Sequence, residues 1–319
     1  MKTTIGGGSA GKTTCLSASA LKDFLACRRR FWFRYVENLV PLVRATPLSF
    51  GSAGHACMAV VLTSTTPPTK EQLTKIAMSE YTAEEIKTAG IDPLVAVEAV
   101  MAFDELSGWR GWNWKVKQTE VYFAVSMGRG KKLHGYLDGI AETQDNQSLI
   151  VENKFLGSIT ESYMNHLLWD DQASYYIVGA RASGLDVCGI LYNMIQKPTI
   201  DQFEATPDEK RKFTKDGKLY ANQHDQAEPD ADYLARVKAW YAENKETAFQ
   251  TRMVMRNKQQ VEEMHKRFQQ IVTDLRHCDK HNHYYPNGDD CSGYFSCPYA
   301  SICLEDTPEV RASNFTMKG

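Results

Sequence analysis

Apolar residues in the first third of the chain recur at spacings of three and four, which is the pattern of helices with one buried face. This spacing predicts helices from Ser19 to about Pro41, over 51–62, over 69–86 and over 93–107. Ser19 is the expected N-cap of the first helix. The third begins with a capping box, in which Thr69 and Gln72 each bond the other's backbone N–H. The N-terminal region is therefore predicted to be helical.

The pattern changes to the alternation of strands near residue 119. Three strands joined by short turns are predicted at 119–125, 133–141 and 148–155. A long helical pattern over 161–183 ends at Gly184, and a buried strand follows at 187–195. A polar segment without periodicity then precedes two more helices, predicted at 231–248 and 258–278. The order of helix, three strands, helix and strand predicts an α/β protein.

The composition is that of a folded protein without an overall bias towards polyanions. The 319 residues, of 36.0 kDa, suffice for one large domain or two ordinary ones. Lys and Arg number 37 against 39 Asp and Glu, and the net charge of −2 means that nucleic-acid contacts must come from local basic patches. No apolar stretch has membrane-spanning length and the start lacks the apolar run of a signal peptide. We expect a protein of the cytoplasm, or of the host cytoplasm if it is phage-encoded, without a membrane partner.

The first fifteen residues contain few apolar side chains, and we expect a flexible tail there. Within it, GGGSAGKT at 6–13 formally matches a phosphate-binding loop. That motif works between a buried strand and a helix, and residues 2–5 are too short and polar to be that strand. A nucleotide-binding ATPase or kinase is therefore the weaker interpretation.

Two carboxylates and a lysine stand out on the predicted strands. Asp138 lies near the end of one strand, and on the next Glu152 and Lys154 point to the same side because strand side chains alternate. The backbone carbonyl of Asn153, between them, is a further oxygen donor. Carboxylate oxygens suit Mg²⁺ or Mn²⁺, and the lysine can orient an attacking water, which together favour phosphodiester hydrolysis. In the alternative interpretation Asp138 begins a turn and the other two residues form an exposed ion pair.

These residues resemble the motifs of the PD-(D/E)XK nuclease superfamily. GYLDGI followed by IVENK stands in the predicted order of elements, although Leu137 replaces the proline of the family signature. Gln172 and Tyr176, four apart on the following helix, resemble the Gln-x-x-x-Tyr element of RecB-type nucleases. His55 resembles the histidine that RecB-family enzymes place on the metal. Without this context, Gln172 and Tyr176 would be ordinary surface and packing residues, and His55 a core histidine.

The resemblance implies a restriction-endonuclease-like fold, a small mixed central sheet flanked by helices. It also implies a metal site formed by His55, Asp138, Glu152 and the carbonyl of Asn153. Lys154 would position the attacking water, while Gln172 and Tyr176 would guide the DNA strand. Glu120, on the preceding strand, is a weaker candidate for supporting the site.

Eight cysteines are expected to be thiols in a reducing compartment, which makes their spacing a question of metal binding. Cys291, Cys297 and Cys303 are separated by gaps of five residues, which fit structural zinc sites poorly. An iron-sulfur cluster requires four thiolates, so these three leave one position open. In the alternative interpretation they are small apolar residues of a compact turn region.

The fourth ligand follows from a second resemblance. RecB-like exonucleases that carry a 4Fe–4S cluster, including CRISPR-associated and AddB-type members, use one early cysteine and three late ones, and Cys27 is the matching early residue. Such a cluster would tie the additional N- and C-terminal helices together and play a structural role. Zinc remains the rival metal, and Cys278 could replace Cys291.

Basic and aromatic residues alternate beside Cys27, a mixture that can meet phosphates and stack on unpaired bases. The candidate DNA contacts are Arg28, Arg29, Arg30 and Arg34. The sequence thus predicts a divalent-metal-dependent DNA exonuclease that acts on single-stranded ends in recombination, repair, phage DNA metabolism or spacer acquisition, with a recombination, helicase or CRISPR partner protein. The alternatives are a non-catalytic or partner-dependent DNA-binding recombination protein and an endonuclease of the same fold.

The predicted parts follow the chain. A helical region at 16–110, with the first cluster cysteine and the metal-site histidine, precedes a nuclease core at 111–198. A polar insertion at 199–229 separates that core from the C-terminal helices and cysteine cluster at 230–319.

Overall fold

A mixed β-sheet forms the centre of the molecule. The structure, a computed structural model, describes residues 15–42, 46–128, 130–291 and 297–317. Six strands of the described residues form this sheet: β1 (Cys15–Leu16), β3 (Trp114–Ser126), β4 (Lys132–Thr143), β5 (Ser148–Leu156), β6 (Val187–Gln196) and β7 (Phe249–Met255). β3, β4 and β5 are successively antiparallel, β6 runs parallel to β5, and β7 is antiparallel to β6. The mixed central sheet is therefore confirmed.

Helices cover both faces of the sheet. In chain order they are α1 (Ala18–Ala26), α2 (Arg28–Phe31), α3 (Thr46–Thr63), α4 (Lys70–Ser79), α5 (Ala83–Ala89), α6 (Asp92–Leu106), α7 (Glu161–His166), α8 (Asp171–Ala182), α9 (Asp230–Ala248), α10 (Lys258–His281), α11 (Ala300–Leu304) and α12 (Pro308–Asn314). α1, α8 and α10 pack together on one face, in a core that includes Ile150 and Ile190. α3, α6 and α9 cover the other face, in a second core that includes Val151 and Ile195. Strand alternation thus gives each face its own core.

The two ends of the described chain are joined by protein contacts. β2 (Leu39–Pro41) pairs antiparallel with β8 (Phe315–Met317). Beneath this ribbon Phe33, Tyr299 and Ile302 are buried, and the Tyr299 hydroxyl donates to the carbonyl of Leu39 at 2.9 Å. The strand pair and this small apolar core therefore join the N-terminal and C-terminal segments that the sequence predicts to share a metal cluster.

Several elements differ from their predicted bounds. The first helix is capped by Ser17 instead of Ser19 and ends at Cys27, whose backbone is extended. The 69–86 pattern divides into α4 and α5, although the predicted capping box of Thr69 and Gln72 is confirmed. The 161–183 pattern divides into α7, a 3₁₀ turn and α8, because Asp170 caps the new helix.

The polar segment after Pro198 is a loop, as predicted, with one 3₁₀ turn at Asp208–Lys210. Residues 1–14, including the GGGSAGKT match to a phosphate-binding loop, lie outside the described residues. Cys15, the first described residue, belongs to β1 and pairs with Lys132 of β4. No helix among the described residues is both long and apolar enough to cross a membrane.

Candidate active site

The pairing of β4 with β5 brings the two predicted carboxylates together. Gly139 is opposite Val151, so Asp138 and Glu152 occupy the next opposed positions on the two strands. On the other side of β4, Glu120 of β3 lies opposite Asp138 with a positive φ of 52°. Such a backbone conformation is strained for a non-glycine residue and interrupts the ladder beside the carboxylates. Three acidic residues, one on each of three adjacent strands, therefore occupy neighbouring positions in the sheet.

Lys154, Glu152, Gln172 and Tyr176 form one connected hydrogen-bond network. The Lys154 ammonium lies 2.8 Å from Oε1 of Glu152 and donates to Oε1 of Gln172, also at 2.8 Å. The Gln172 amide nitrogen is 3.1 Å from Oε1 of Glu152 and 2.9 Å from the Tyr176 hydroxyl. The spacing of four residues on α8 places Gln172 and Tyr176 on the same side of the helix. The network fixes the orientation of the lysine and of one carboxylate oxygen.

Glu152 is a buried carboxylate with one unsatisfied oxygen. Its side chain is only 4% exposed, and Oε2 is buried with no hydrogen-bond partner among the described residues. Burial, reinforced by the neighbouring Asp138 charge and opposed by Lys154, raises the pKa of Glu152 to about 7. For Lys154, burial lowers the pKa but the Glu152 carboxylate outweighs it, so the pKa of Lys154 is raised. The lysine is therefore charged at neutral pH.

His55 approaches the carboxylates from α3, on the opposite side of the sheet from α8. Its Nδ1 lies 2.9 Å from Oδ2 of Asp138, an oxygen that also accepts the backbone N–H of Asn153 at 2.7 Å. Burial lowers the pKa of His55, and the Asp138 charge more than offsets this, so the net shift is upward. The helix can come this close because Gly54 has no side chain, and a Cβ there would lie 2.4 Å from the Phe155 ring of β5.

The donors fit a hard divalent cation, although they are engaged with one another. Among the described residues, no three His, Cys, Asp or Glu side chains form a ready metal-ligand cluster. Instead, Asp138 accepts from His55 and Asn153, while Oε1 of Glu152 accepts from Lys154. The orphaned Oε2 of Glu152 is the point of fit, since an unpaired buried carboxylate oxygen is costly unless a cation or proton occupies it. Oxygen-rich donors of this kind are those that Mg²⁺ and Mn²⁺ prefer.

One supporting residue of the site was not expected from the sequence. Arg256, directly after β7, is buried, and its guanidinium donates to the Ser174 hydroxyl at 2.9 Å and to the Asp170 carbonyl at 3.2 Å. The Asp170 side chain in turn caps Gln172 at 3.0 Å. These contacts fix the start of α8. Asp170 had a sequence signal, an N-cap residue type just before the helix, whereas Arg256 had none because its strand was not recognised.

The proposed cluster cysteines are linked through Asn287, whose backbone N–H donates to the Cys27 sulfur at 3.4 Å and whose carbonyl accepts from the Cys291 thiol at 3.5 Å. All eight cysteines are free thiols, with Cys27 buried, Cys291 and Cys297 half-buried and Cys303 exposed. Burial raises the pKa of both Cys297 and Cys303, and charge on Cys291 and on Cys27 adds to each shift. Within the described residues they do not form a ready metal-ligand group. Burial raises the pKa of Cys278, the alternative ligand, and the neighbouring Arg28 opposes this shift.

The four candidate arginines are largely engaged inside the protein, and two of them, Arg29 and Arg30, lie near the proposed cluster thiols. Arg30 pairs with Asp23 at 3.0 Å and with Asp290. Arg34 also pairs with Asp23, yet half of its side chain remains exposed. The remaining guanidiniums lie over aromatic rings, Arg28 over Phe24 and Tyr285 and Arg29 over Trp32. Charge on Arg29 and on Arg30 lowers the pKa values of Cys303 and Cys297 respectively, opposing the effect of burial.

A carboxylate pair, a buried lysine and a mixed sheet between helices define a nuclease of the restriction-endonuclease-like class. The match to known families agrees: residues 15–304 correspond to the PD-(D/E)XK nuclease superfamily, to which this chain belongs. Members of that superfamily generally use divalent metals such as Mg²⁺, and a nuclease of this family implies DNA as substrate.

Individual relatives are distant. No curated protein matches the chain. Among solved structures, a protein from Eubacterium rectale that carries the provisional name of an exonuclease has 13% identity and a TM-score of 0.48, covering 92% of this chain and 93% of its own. A second structure, SSO0001, has 14% identity and a TM-score of 0.28, with 73% and 76% covered. Likenesses of this strength carry no functional argument.

Proposed function

We propose that this chain is a divalent-metal-dependent DNA exonuclease that hydrolyses phosphodiester bonds from single-stranded ends. The observation that carries the proposal is the state of the buried Glu152 carboxylate. One of its oxygens forms an ion pair with the charged Lys154, and the other has no partner among the described residues. A buried carboxylate held in this state is costly to stability, and such groups cluster at functional sites.

Each predicted site residue has a role in this proposal. Asp138, Glu152, the Asn153 carbonyl and His55 hold Mg²⁺ or Mn²⁺, with Glu120 supporting the site from β3. The bound metal supplies Lewis acidity and an activated water. Because the raised pKa of Lys154 keeps it protonated, we assign it to orienting the water and stabilising charge on the phosphate, and not to removing a proton.

Gln172 and Tyr176 act on the reacting groups as well as on the DNA strand. The Gln172 amide contacts Lys154 through its oxygen, and Glu152 and Tyr176 through its nitrogen. A strand that accepts a hydrogen bond from the Tyr176 hydroxyl would therefore be coupled, through Gln172, to the orientation of the lysine. This coupling would align the strand with the catalytic groups, an effect that contributes to rate through positioning.

We further propose that Cys27, Cys291, Cys297 and Cys303 hold a 4Fe–4S cluster with a structural role, and Zn²⁺ is the rival metal. The proximity of these thiols supports this, because Asn287 contacts both Cys27 and Cys291, and charge on those two acts on the pKa of Cys297 and of Cys303. The adjacent arginines fit it too, since they favour thiolates, the form in which cysteine binds metal. Arg28, Arg29, Arg30 and Arg34 are proposed DNA contacts, and Arg34 is the foremost of them because half of its side chain stays exposed despite its pair with Asp23.

The division of the chain is proposed as 16–110 for the helical region, 111–198 for the nuclease core, 199–229 for the insertion and 230–319 for the C-terminal part. A role in recombination, repair, phage DNA metabolism or spacer acquisition, with a helicase, recombination or CRISPR partner, belongs to the same proposal. Location in the cytoplasm is also part of it.

The test compares linear and circular single-stranded DNA of the same sequence with Mn²⁺ or Mg²⁺. An exonuclease releases nucleotides from the end-labelled linear strand and leaves the circle intact. Cleavage of the circle would identify an endonuclease, and failure to cleave either strand would favour a partner-dependent DNA-binding protein. An absorption spectrum with iron and zinc analysis of anaerobically purified protein decides the cluster: about four irons per chain supports it, whereas zinc alone or no metal overturns it.

A further inference from the structure

Aromatic side chains line the exposed face of the β3–β4 ribbon beside the carboxylates. Tyr122 of β3 is directly opposite Tyr136 of β4, and their ring centroids are 5.0 Å apart with an angle of 49° between the rings. His134, opposite Ala124, continues the row, its ring 6.3 Å from Tyr122. The two tyrosines are 47% and 44% exposed, so their rings are accessible to a ligand.

These tyrosines lie on a rigid element and not on a loop. Neighbouring positions of β4 point to the other face, where Leu133 and Leu137 are completely buried in the core. Gly135 packs against the Phe123 ring on that same face. The ribbon is therefore fixed from behind, and the exposed rings are held in place without a loss of backbone entropy on binding.

The aromatic pair is close in sequence to two acidic residues of the site, Glu120 and Asp138. Tyr122 and Tyr136 are two residues from Glu120 and Asp138 respectively, a distance of about 7 Å along each strand. Further along the ribbon, the exposed Lys132 lies opposite Ser126. The order on this surface is therefore two carboxylates, two aromatic rings and a cation. A nucleic-acid strand offers the matching order of a phosphate at the metal site, a base and a further phosphate.

We propose that Tyr122 and Tyr136, extended by His134, form a stacking platform for an unpaired base next to the phosphate that is hydrolysed. The proposal rests on the proposed nuclease function and deepens it by assigning a base-binding subsite. Base–aromatic stacking requires an open π-face, which an unpaired base has and a base inside a duplex lacks. Selection of a single-stranded end would then come from these rings, because carboxylates and metal contact only the phosphate.

The test measures binding without cleavage, by fluorescence anisotropy in EDTA. The probes are a labelled oligothymidylate, an abasic oligomer of equal length and charge, and a blunt duplex. Stacking of one or more bases predicts roughly 5- to 150-fold tighter binding of the oligothymidylate than of the abasic oligomer. The double variant Tyr122→Leu with Tyr136→Leu should lose this preference, while its affinity for the abasic oligomer and for the duplex stays unchanged.

Two further variants make the result specific. The double Tyr→Phe variant keeps both rings and should keep the preference, which separates stacking from the hydroxyl groups. Tyr220→Leu, which removes an equally exposed tyrosine (47%) from the 198–229 loop, should behave as wild type. An undiminished preference in the Leu double variant, or none in the wild type, overturns the platform. Cleavage of DNA by the wild type in Mn²⁺ is scored separately, so a failed nuclease function and a failed platform give different results.

Discussion

The buried Glu152 carboxylate predicts how the stability of the metal-free protein depends on pH. Its pKa is raised from an ordinary value of 4.5 to about 7 in the folded protein, so the folded state holds a proton that the unfolded state has released. A raised folded pKa contributes stability that is present below pH 4.5 and lost as pH rises through 7. The shift corresponds to about 3 kcal/mol in full, most of which is lost between pH 5 and pH 8.

The assay is thermal unfolding of wild type and Glu152→Gln in EDTA across this range. Gln keeps the shape of the side chain and can still accept from Lys154, but it does not titrate. For a chain of this length, a loss of about 2 to 3 kcal/mol corresponds to a Tm difference of roughly 3 to 5 °C. We expect the wild type to lose about 4 °C more than the variant from pH 5 to pH 8. Titrating groups distant from Glu152 are present in both proteins and cancel to first order, whereas the part of the His55 pKa shift that comes from the Glu152 charge belongs to the measured difference.

Added Mg²⁺ or Mn²⁺ should reverse the trend, because a metal bound to the carboxylate displaces its proton. The stabilisation of the wild type by metal is therefore expected to increase with pH, and to be smaller in Glu152→Gln. Equal losses of Tm in the wild type and Glu152→Gln in EDTA would refute the reasoning, since Glu152 would then be ionised in the folded state like an exposed carboxylate.

Two other substitutions test the packing and the cysteine cluster. Gly179→Ala should lower the free energy of unfolding by about 1–3 kcal/mol in urea titrations, because its Cβ would lie 2.2 Å from the Phe123 ring. Gly51→Ala is the control: a Cβ there would have nothing within 4 Å, and the variant should be neutral or stabilising by up to about 1 kcal/mol. Cys297→Ser should reduce bound iron and visible absorbance, measured anaerobically, whereas Cys188→Ser in β6 should not, and equal iron in both variants would remove Cys297 from the cluster.

Much of the site could be predicted because its parts obey local periodicities. Glu152 and Lys154 share a side of one strand, and Gln172 and Tyr176 share a side of one helix. His55 is different, since it arrives from α3 across the sheet, and no spacing in the sequence brings it to Asp138. Only the family resemblance suggested that contact.

Other features depended on contacts that a sequence does not display. β7 was missed because it is an edge strand with one buried residue, Val254, and because it follows α9 without a turn, Phe249 being both the helix C-cap and the first strand residue. The positive φ of Glu120 arises in β3 between Thr119 and Val121, which pair with Gly139 and Leu137 on either side of Asp138. Both features are set by neighbouring strands and not by the local residues.

The most direct test of the central claim is metal-dependent cleavage of end-labelled single-stranded DNA by the wild type, Asp138→Ala and Lys154→Ala. The matched controls are Asp92→Ala and Lys197→Ala, each of which breaks an Asp–Lys ion pair of 3.0 Å outside the candidate active site. The account predicts cleavage by the wild type and both controls, and loss of activity in both site variants with a cooperative unfolding transition retained. Undiminished cleavage by Asp138→Ala and Lys154→Ala would contradict it.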